Sequence, residues 1–589
     1  MQQDPLSILK TYWGYDSFRP LQSDIIHAVL QGKDVLALLP TGAGKSVCFQ
    51  VPALAMDGLC LVVSPLIALM KDQVEQLKRR GITAFSIFSG MTRKEVMQTL
   101  KVAGESNCKF LYVSPERLET RLFLEYLPSL NVQLLAIDEA HCISQWGYDF
   151  RPPYLRIAKI REELPHVPVL ALTASATPDV QEDICEKLQF TERNIFRSSF
   201  VRPNLSFSVF QTDSVYSRIT DILQKMQGSS IVYCRSRKRT VDIARLLHLH
   251  GISADYYHAG LDSAERSRKQ EAWIKDRIRT IVCTNAFGMG IDKPNVRLVI
   301  HADLPECLEN YYQEAGRAGR DGNKSYAVLL YDENRISELE ELPDKRYPAL
   351  EEVRAVYQSL VNYLQIPAGL GAETYFDFNI GEFIKRFGHD SALVTAALST
   401  LEQENYLSFN QQVWLPARVR FTTGKKSLFD FETNHPDLEP MIKILLRTYE
   451  GIFDYGVSVY EKLIARKLHI SEEVCKEQLD QLHRYRIIDY IPMKDQPQVY
   501  FFNNRVEAAR LTINETYYAE RKRQFTHRIA SMIDYIHDSH ECRSRKLANY
   551  FGDQSSDACG ICDNCLEARR VKLKSETFEQ ISKQMLEEL

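Results

Sequence analysis

"DVLALLPTGAGKSVCFQ", Asp34–Gln50, is the stretch from which the fold is read. The short apolar run "DVLAL" suits a buried strand, and the residues after the glycines take up a helical pattern. Between them, Gly42 and Gly44 let backbone N–H groups turn inward on phosphate oxygens, with Thr41 and Ala43 completing the loop. Lys45 would reach the outer phosphates of a bound nucleotide, and Ser46 would offer its hydroxyl to Mg²⁺. Loops of this kind usually carry glycine five residues before Gly44, where this chain has Leu39.

The same strand–loop–helix unit recurs on either side. "LCLVVSP", "KFLYVSP", "LLAIDE" and "VLALTA" are apolar runs that each lead into a polar turn and a helical pattern. Such runs predict a parallel sheet covered by helices on both faces. After "VRPNLSFSV" the series restarts with "SSIVYC", "SADYYH", "RTIVCT", "VRLVIH" and "SYAVLLY". Two α/β domains in tandem with a cleft between them follow, with Pro203 suiting a short linker. Beyond "LPDKRYPAL" helical periods dominate, and a faint repeat begins at Phe383 and again at Leu463. Each copy reads helix, turn, helix, strand, followed by a hairpin-like segment ("NQQVWLPARVRF" and "IPMKDQPQVYFF"), the outline of a winged helix or of two generic helical pairs.

The 589 residues exceed one core, so three to five domains are expected. The boundaries read as a first lobe 1–205, a second lobe 206–345, winged-helix-like modules 346–440 and 441–515, a helical metal-binding module 516–570 and a tail 571–589. A net charge of −4 excludes a globally basic protein and leaves only local basic surfaces for a polyanion. "CRSRKR" (to Arg239) and "ERKRQFTHR" (to Arg528) are two such clusters, readable as phosphate tracks or as solvated faces. The first residues lack a basic segment followed by an apolar run, and the apolar stretch Leu59–Met70 is too short for a bilayer. A cytoplasmic protein with reduced thiols and no membrane partner is the expectation.

"LLAIDEAHCISQWGYDFRPPY", Leu134–Tyr154, ends an apolar run in two acids and then crowds aromatics together. With the phosphate loop nearby, Asp138 is placed to hold Mg²⁺ and Glu139 to polarise an attacking water. The exposed rings of Trp146, Tyr148 and Phe150 offer faces for unpaired bases, with Gln145 alongside and Arg151 adding a phosphate or cation–π contact. His141 could relay the position of that loop to the acids. Packing as a small satellite core is the alternative, most of all for Tyr154, which lies past the proline pair.

Taken together, "TGAGKS", "DEAH", "LTASAT" and "QEAGRAGRDG" resemble the superfamily 2 helicases in order and spacing. "FRPLQ" and "HCISQWGYDFRPPY" narrow the resemblance, over about residues 10–330, to the RecQ-type DNA helicases. The resemblance implies two RecA-like domains and an ATP-driven 3′→5′ translocase on single-stranded DNA. It also implies unwinding of branched or tailed duplexes, service in recombination and repair, and association with a bacterial nucleoid. By the same resemblance Tyr15 would stack on adenine, Arg19 contact the nucleotide and Gln22 read the base edge, with Leu21 standing where glycine is common. Ser175 sits in a lobe-coupling motif, and Asp292 would approach the ribose. Gln313, Arg317 and Arg320 come from the second lobe, Arg320 as the finger that neutralises charge on the γ-phosphate. Relatives often carry histidine where this chain has Tyr148.

Cys542, Cys559, Cys562 and Cys565 have the spacing of a closed tetrahedral Zn²⁺ site, an iron–sulfur cluster being the alternative. In the family this module follows the second lobe closely; here about 200 residues intervene, so the accessory order reads as rearranged. Tyr500–Phe502, at the end of the second hairpin-like segment, is a strand-separating candidate or a core element. The leading reading is a monomeric DNA motor. An RNA-directed or duplex-translocating motor, and a DNA-binding regulator that uses nucleotide as a switch, are the rivals.

Overall fold

The computed structural model describes residues 4–569 except 41, 89–90, 92, 119, 145–146, 148–150, 288–292, 373, 411–416, 450, 454–455 and 493–496. Residues 1–343 and 519–589 form one compact unit, and Asp344–Tyr518 a second.

In the first unit the first lobe holds β1 (Val35–Leu38), β2 (Leu59–Val63), β3 (Ala84–Ile87), β4 (Phe110–Val113), β5 (Val132–Ile137), β6 (Val169–Thr173) and β7 (Asn194–Arg197). They form one parallel sheet in the order β3-β4-β2-β5-β6-β1-β7. Every residue of β1, β2, β4 and β6 is buried, as expected for strands covered on both faces. The second lobe repeats the plan with β8 (Leu205–Gln211), β9 (Ser229–Tyr233), β10 (Ala254–Tyr257), β11 (Thr280–Cys283), β12 (Val296–His301) and β13 (Ser325–Tyr331). Their order is β10-β11-β9-β12-β13-β8, again parallel. The two tandem parallel-sheet domains expected from the apolar runs, RecA-like as the resemblance implies, are therefore present.

The order within the first sheet makes the site. Strands β1, β6 and β5 are neighbours, so their carboxyl ends bring together Gly42–Ser46, Thr173–Ser175 and Asp138–Glu139. Ligands of open α/β sheets bind at such carboxyl ends.

Residues 519–569 return to this unit. The backbone N–H of Val209 on the edge strand β8 donates to Asp563 Oδ2 (2.8 Å), and Ser206 Oγ donates to the Ile561 carbonyl (2.7 Å). An otherwise unpaired sheet edge is thus covered.

The second unit corrects the expected modules. The repeat is real: helices Ile380–Phe387 and Ser391–Gln403 match Glu461–Leu468 and Glu472–Arg484 at a constant offset. The hairpins are not local. β14 (Thr374–Asp377), β15 (Leu407–Asn410) and β19 (Gln498–Phe501) form one antiparallel sheet with β19 in the centre. β16 (Ala417–Phe421), β17 (Val457–Val459) and β18 (Ile488–Ile491) form another with β16 in the centre. The two modules are therefore not the consecutive blocks 346–440 and 441–515. The segment 417–491, with its own apolar core around Val419, Met441 and Leu479, is inserted into the first. Burial in β16 and β18 alternates residue by residue, a period that defines a buried face but not a pairing partner. Among the described residues, no helix is long and apolar enough to cross a membrane.

Candidate active site

The helix Lys45–Ala55 starts directly after Gly44, so its first N–H groups face the loop between β1 and the helix. Gly42 and Gly44 adopt φ of 85° and 81°, a region L side chains avoid. Gln22, 3% exposed, donates from its amide to the carbonyls of Ala43 (3.0 Å) and Gly44 (3.2 Å). The N–H of Arg19 donates to Gln22 Oε1 (3.0 Å), while the Arg19 guanidinium bonds the Gly42 carbonyl. These residues thus brace the phosphate loop itself, and the Tyr15 ring stands open at 54% exposure. Leu21 takes φ 66°, which explains why glycine suits this turn. Thr41 lies outside the described residues.

Asp138 and Glu139 leave β5 into the same space. Burial, and next the charge of Glu139, push Asp138 up to about 7, while Lys45 pulls it down. Burial also pushes Glu139 up, but Lys45, His141, Arg317 and Arg151 outweigh it and hold the carboxyl below its ordinary range. Glu139 also sits at φ 49°, a left-handed conformation that costs on the order of 1–2 kcal/mol. Its carboxyl lies beside His141, whose Nδ1 is 3.4 Å from Glu139 Oε2.

His141 begins a chain of polar contacts that leaves the lobe. Its Nδ1 is 3.0 Å from Thr173 Oγ1, which accepts the N–H of Ser175 at 3.3 Å. Gln313 of the second lobe then donates to Ser175 Oγ at 2.9 Å. His141 and Ser175 are almost completely buried, and Gln313 is 9% exposed. Thr173 was not singled out in the sequence; its place as the last residue of β6 is the signal that would have found it.

Arg317 and Arg320 arrive on the turn after the helix Leu308–Ala315. Arg317 is 8% exposed and contributes to holding Glu139 ionised. The Arg320 stem lies over Gly42 so closely that a Cβ there would sit 3.1 Å from its Cγ. Asp292 lies outside the described residues.

Gln145, Trp146, Tyr148 and Phe150 likewise fall outside the described residues, whereas Gly147 and the residues that follow Phe150 are described. Gly147, between Trp146 and Tyr148, packs against the His141 carbonyl, 2.7 Å from where a Cβ would stand. The Arg151 N–H donates to the Cys142 carbonyl (3.0 Å). Tyr154 is fully buried and its hydroxyl donates to the Asp138 carbonyl at 2.9 Å. Gly147, Arg151 and Tyr154 are thereby each held against the acid-bearing turn. Of the other candidates, Arg235 and Arg239 are paired with Glu306 (2.9 Å) and Asp303 (2.8 Å). Tyr500 lies on a central strand, its ring 4.5 Å from that of Tyr375, and Phe501 is buried in the core.

The four cysteines converge, with their sulfurs all within 4.8 Å of one another. Tetrahedral Zn–S bonds of about 2.3 Å would bring them to roughly 4 Å apart. The N–H groups of Cys559, Cys562 and Cys565 point at sulfurs of the set at 3.1, 3.4 and 3.5 Å, which stabilises negative charge on metal-bound thiolates. The set fits a closed structural Zn²⁺ site.

Four family models match this chain. They are "DEAD/DEAH box helicase" over 19–184 and "Helicase conserved C-terminal domain" over 214–322, then "RecQ helicase winged-helix domain, Bacteroidota" over 419–492 and "RecQ zinc-binding" over 503–566. The third coincides with the inserted module. The chain is 44% identical over 333 residues to the ATP-dependent DNA helicase RecQ of Pasteurella multocida, covering 56% of this chain and 53% of that protein. It is 45% identical over 328 residues to the protein of the same name in Haemophilus influenzae, with shares of 56% and 53%. With the probable ATP-dependent DNA helicase RecS of Bacillus subtilis the figures are 44% over 326 residues, 55% of this chain and 66% of that one. The chain spans about half the length of the first two.

Proposed function

We propose that this chain, which belongs to the RecQ-type family of superfamily 2 helicases, is an ATP-driven motor that translocates 3′→5′ on single-stranded DNA and separates tailed or branched duplexes. The observation that carries the reading is the continuous path from Glu139 through His141, Thr173 and Ser175 to Gln313. A group that activates water is thereby tied to the lobe that must move, which a nucleotide switch without turnover does not need.

ATP would lie with its phosphates on the 42–46 loop, Lys45 on the outer phosphates and Arg320 approaching from the second lobe. Two adjacent, partly buried carboxylates that both feel the charge of Lys45 suit a divalent cation, which Ser46 and Asp138 would hold. Mg²⁺ bound there would neutralise charge on the β- and γ-oxygens. Glu139, kept ionised by the surrounding cations, takes a proton from the attacking water, and Arg317 and Arg320 offset the charge that develops. Trp146, Tyr148, Phe150, Gln145 and Arg151 form the element that senses unpaired bases, and its anchors at Cys142 and Asp138 deliver that signal to the acids. The motor acts as a monomer beside the chromosome, in recombination and repair.

Strand separation on matched substrates tests the reading. A duplex with a 3′ single-stranded DNA tail should be unwound with ATP. Its 5′-tailed counterpart, and RNA duplexes of the same sequence, should be separated at least about tenfold more slowly. Equal action on RNA would overturn the assignment of substrate, and preference for the 5′ tail that of direction.

A further inference from the structure

Between the lobes the chain passes through "FVRPN", Phe200–Asn204, and this segment is bound more tightly than a connector requires. Arg202 Nη1 donates to the carbonyl of Gly316 (3.2 Å), and its Nη2 to those of Ala318 (3.0 Å) and Gly319 (3.1 Å). Asn204 Nδ2 donates to the same Gly319 carbonyl (2.7 Å) and to that of Asn323 (3.0 Å). The helix Leu308–Ala315 closes its own last turn, Glu314 and Ala315 accepting the N–H groups of Arg317 and Ala318, so these acceptors belong to the turn beyond it. A guanidinium satisfies several of them at once because its donors form a planar fork, which an ammonium lacks. Arg317 and Arg320 lie within the turn so held, at the edge of the cleft.

The linker is fixed just upstream as well. The Phe200 ring stacks on Phe551 of the cysteine module (4.7 Å, 13°), and its carbonyl accepts from the Tyr312 hydroxyl (3.1 Å). Ser199 Oγ donates to Asp553 at 2.9 Å. Arg202 therefore has a firm footing from which to bear on the arginine turn. Burial lowers its pKa, the mark of a cation kept out of water for the sake of its main-chain partners.

We propose that Arg202 is a positioning residue for nucleotide cleavage: through the carbonyls of Gly316, Ala318 and Gly319 it sets the aim of Arg317 and Arg320, with Asn204 as a second hold on the same turn. This rests on the ATP-hydrolysing reading of the cleft. Because a misplacement of about 1 Å costs on the order of 10²-fold in rate, the effect belongs in kcat rather than in nucleotide affinity.

A double-mutant cycle on the full chain tests it. Arg202→Gln should lower DNA-stimulated kcat roughly 10- to 100-fold with KM for ATP within about threefold of wild type, and Arg202→Lys should restore little. In an Arg320→Ala background, Arg202→Gln should add less than about twofold, since the group it aims is already gone. Full multiplication of the two effects would show a role in general folding and overturn the proposal. Should Arg202→Gln fail to fold, Asn204→Ala gives the same reading, with roughly a threefold to tenfold loss of kcat expected and the same lack of additivity. Wild-type kcat in that variant would overturn the proposal. Wild-type protein assayed alongside separates the two levels. Absence of any ATP turnover overturns the motor reading and this proposal with it, whereas normal turnover with independent effects overturns this proposal alone.

Discussion

Glu139→Gln should reduce ATP turnover by about 10²–10⁴-fold while leaving nucleotide binding intact. The amide is isosteric and tolerates the φ of 49° no worse than the acid, so the turn after β5 should keep its shape. What disappears is the one carboxyl that Lys45, His141, Arg317 and Arg151 hold ionised in a buried setting. Binding should persist because the contacts of Gln22 and Arg19 with the phosphate loop do not involve position 139. A coupled turnover assay with saturating oligonucleotide, beside an equilibrium titration of a fluorescent ADP, measures both. Unchanged turnover would assign hydrolysis elsewhere, and loss of binding would mean that the substitution disrupts the cleft rather than the chemistry.

The second large effect is expected at the cysteine cluster. Structural zinc contributes on the order of 10 kcal/mol or more to small modules, comparable with the whole stability of a typical domain. Cys562 is fully buried, and the segment beside it supplies Asp563 and Ile561 to the edge strand β8. Cys562→Ser should therefore release the metal, unfold the module and uncover β8. The wild type should carry about one zinc per chain by elemental analysis. The variant should carry none, melt at lower temperature and be cut by protease within 519–569 while 1–343 persists longer. Iron with visible absorbance in the wild type would replace zinc by a cluster. A variant with unchanged melting would remove the structural role.

What the sequence revealed, and what it hid, follows from how local each signal is. β1, β2, β4 and β6 were legible because strands buried on both faces are unbroken apolar runs. The edge strands β3 and β7, "AFSI" and "NIFR", are only partly buried and gave no such run. β8 hid inside the stretch read as a restart, since "NLSFSV" is half polar. The phosphate loop, the acids and the cysteines each lie on one short segment whose chemistry is visible in the spacing. The helical repeat at Phe383 and Leu463 was also visible, but the exchange of partners among β15, β16, β18 and β19 was not. Each strand shows one buried face, and nothing in that face names a partner nearly a hundred residues away. Arg202 escaped for a related reason: its partners are carbonyls, which leave no trace in residue identity.

Unpaired DNA, sensed beside Glu139, is proposed to switch on hydrolysis across the two lobes. The direct measurement is the dependence of ATP turnover on single-stranded oligonucleotide for the wild type and for Trp146→Ala/Phe150→Ala. Turnover should rise at least about tenfold at saturation in the wild type and no more than about twofold in the double variant, each lost base contact removing roughly 1–3 kcal/mol. A double variant whose turnover rises with oligonucleotide as steeply as that of the wild type would contradict it.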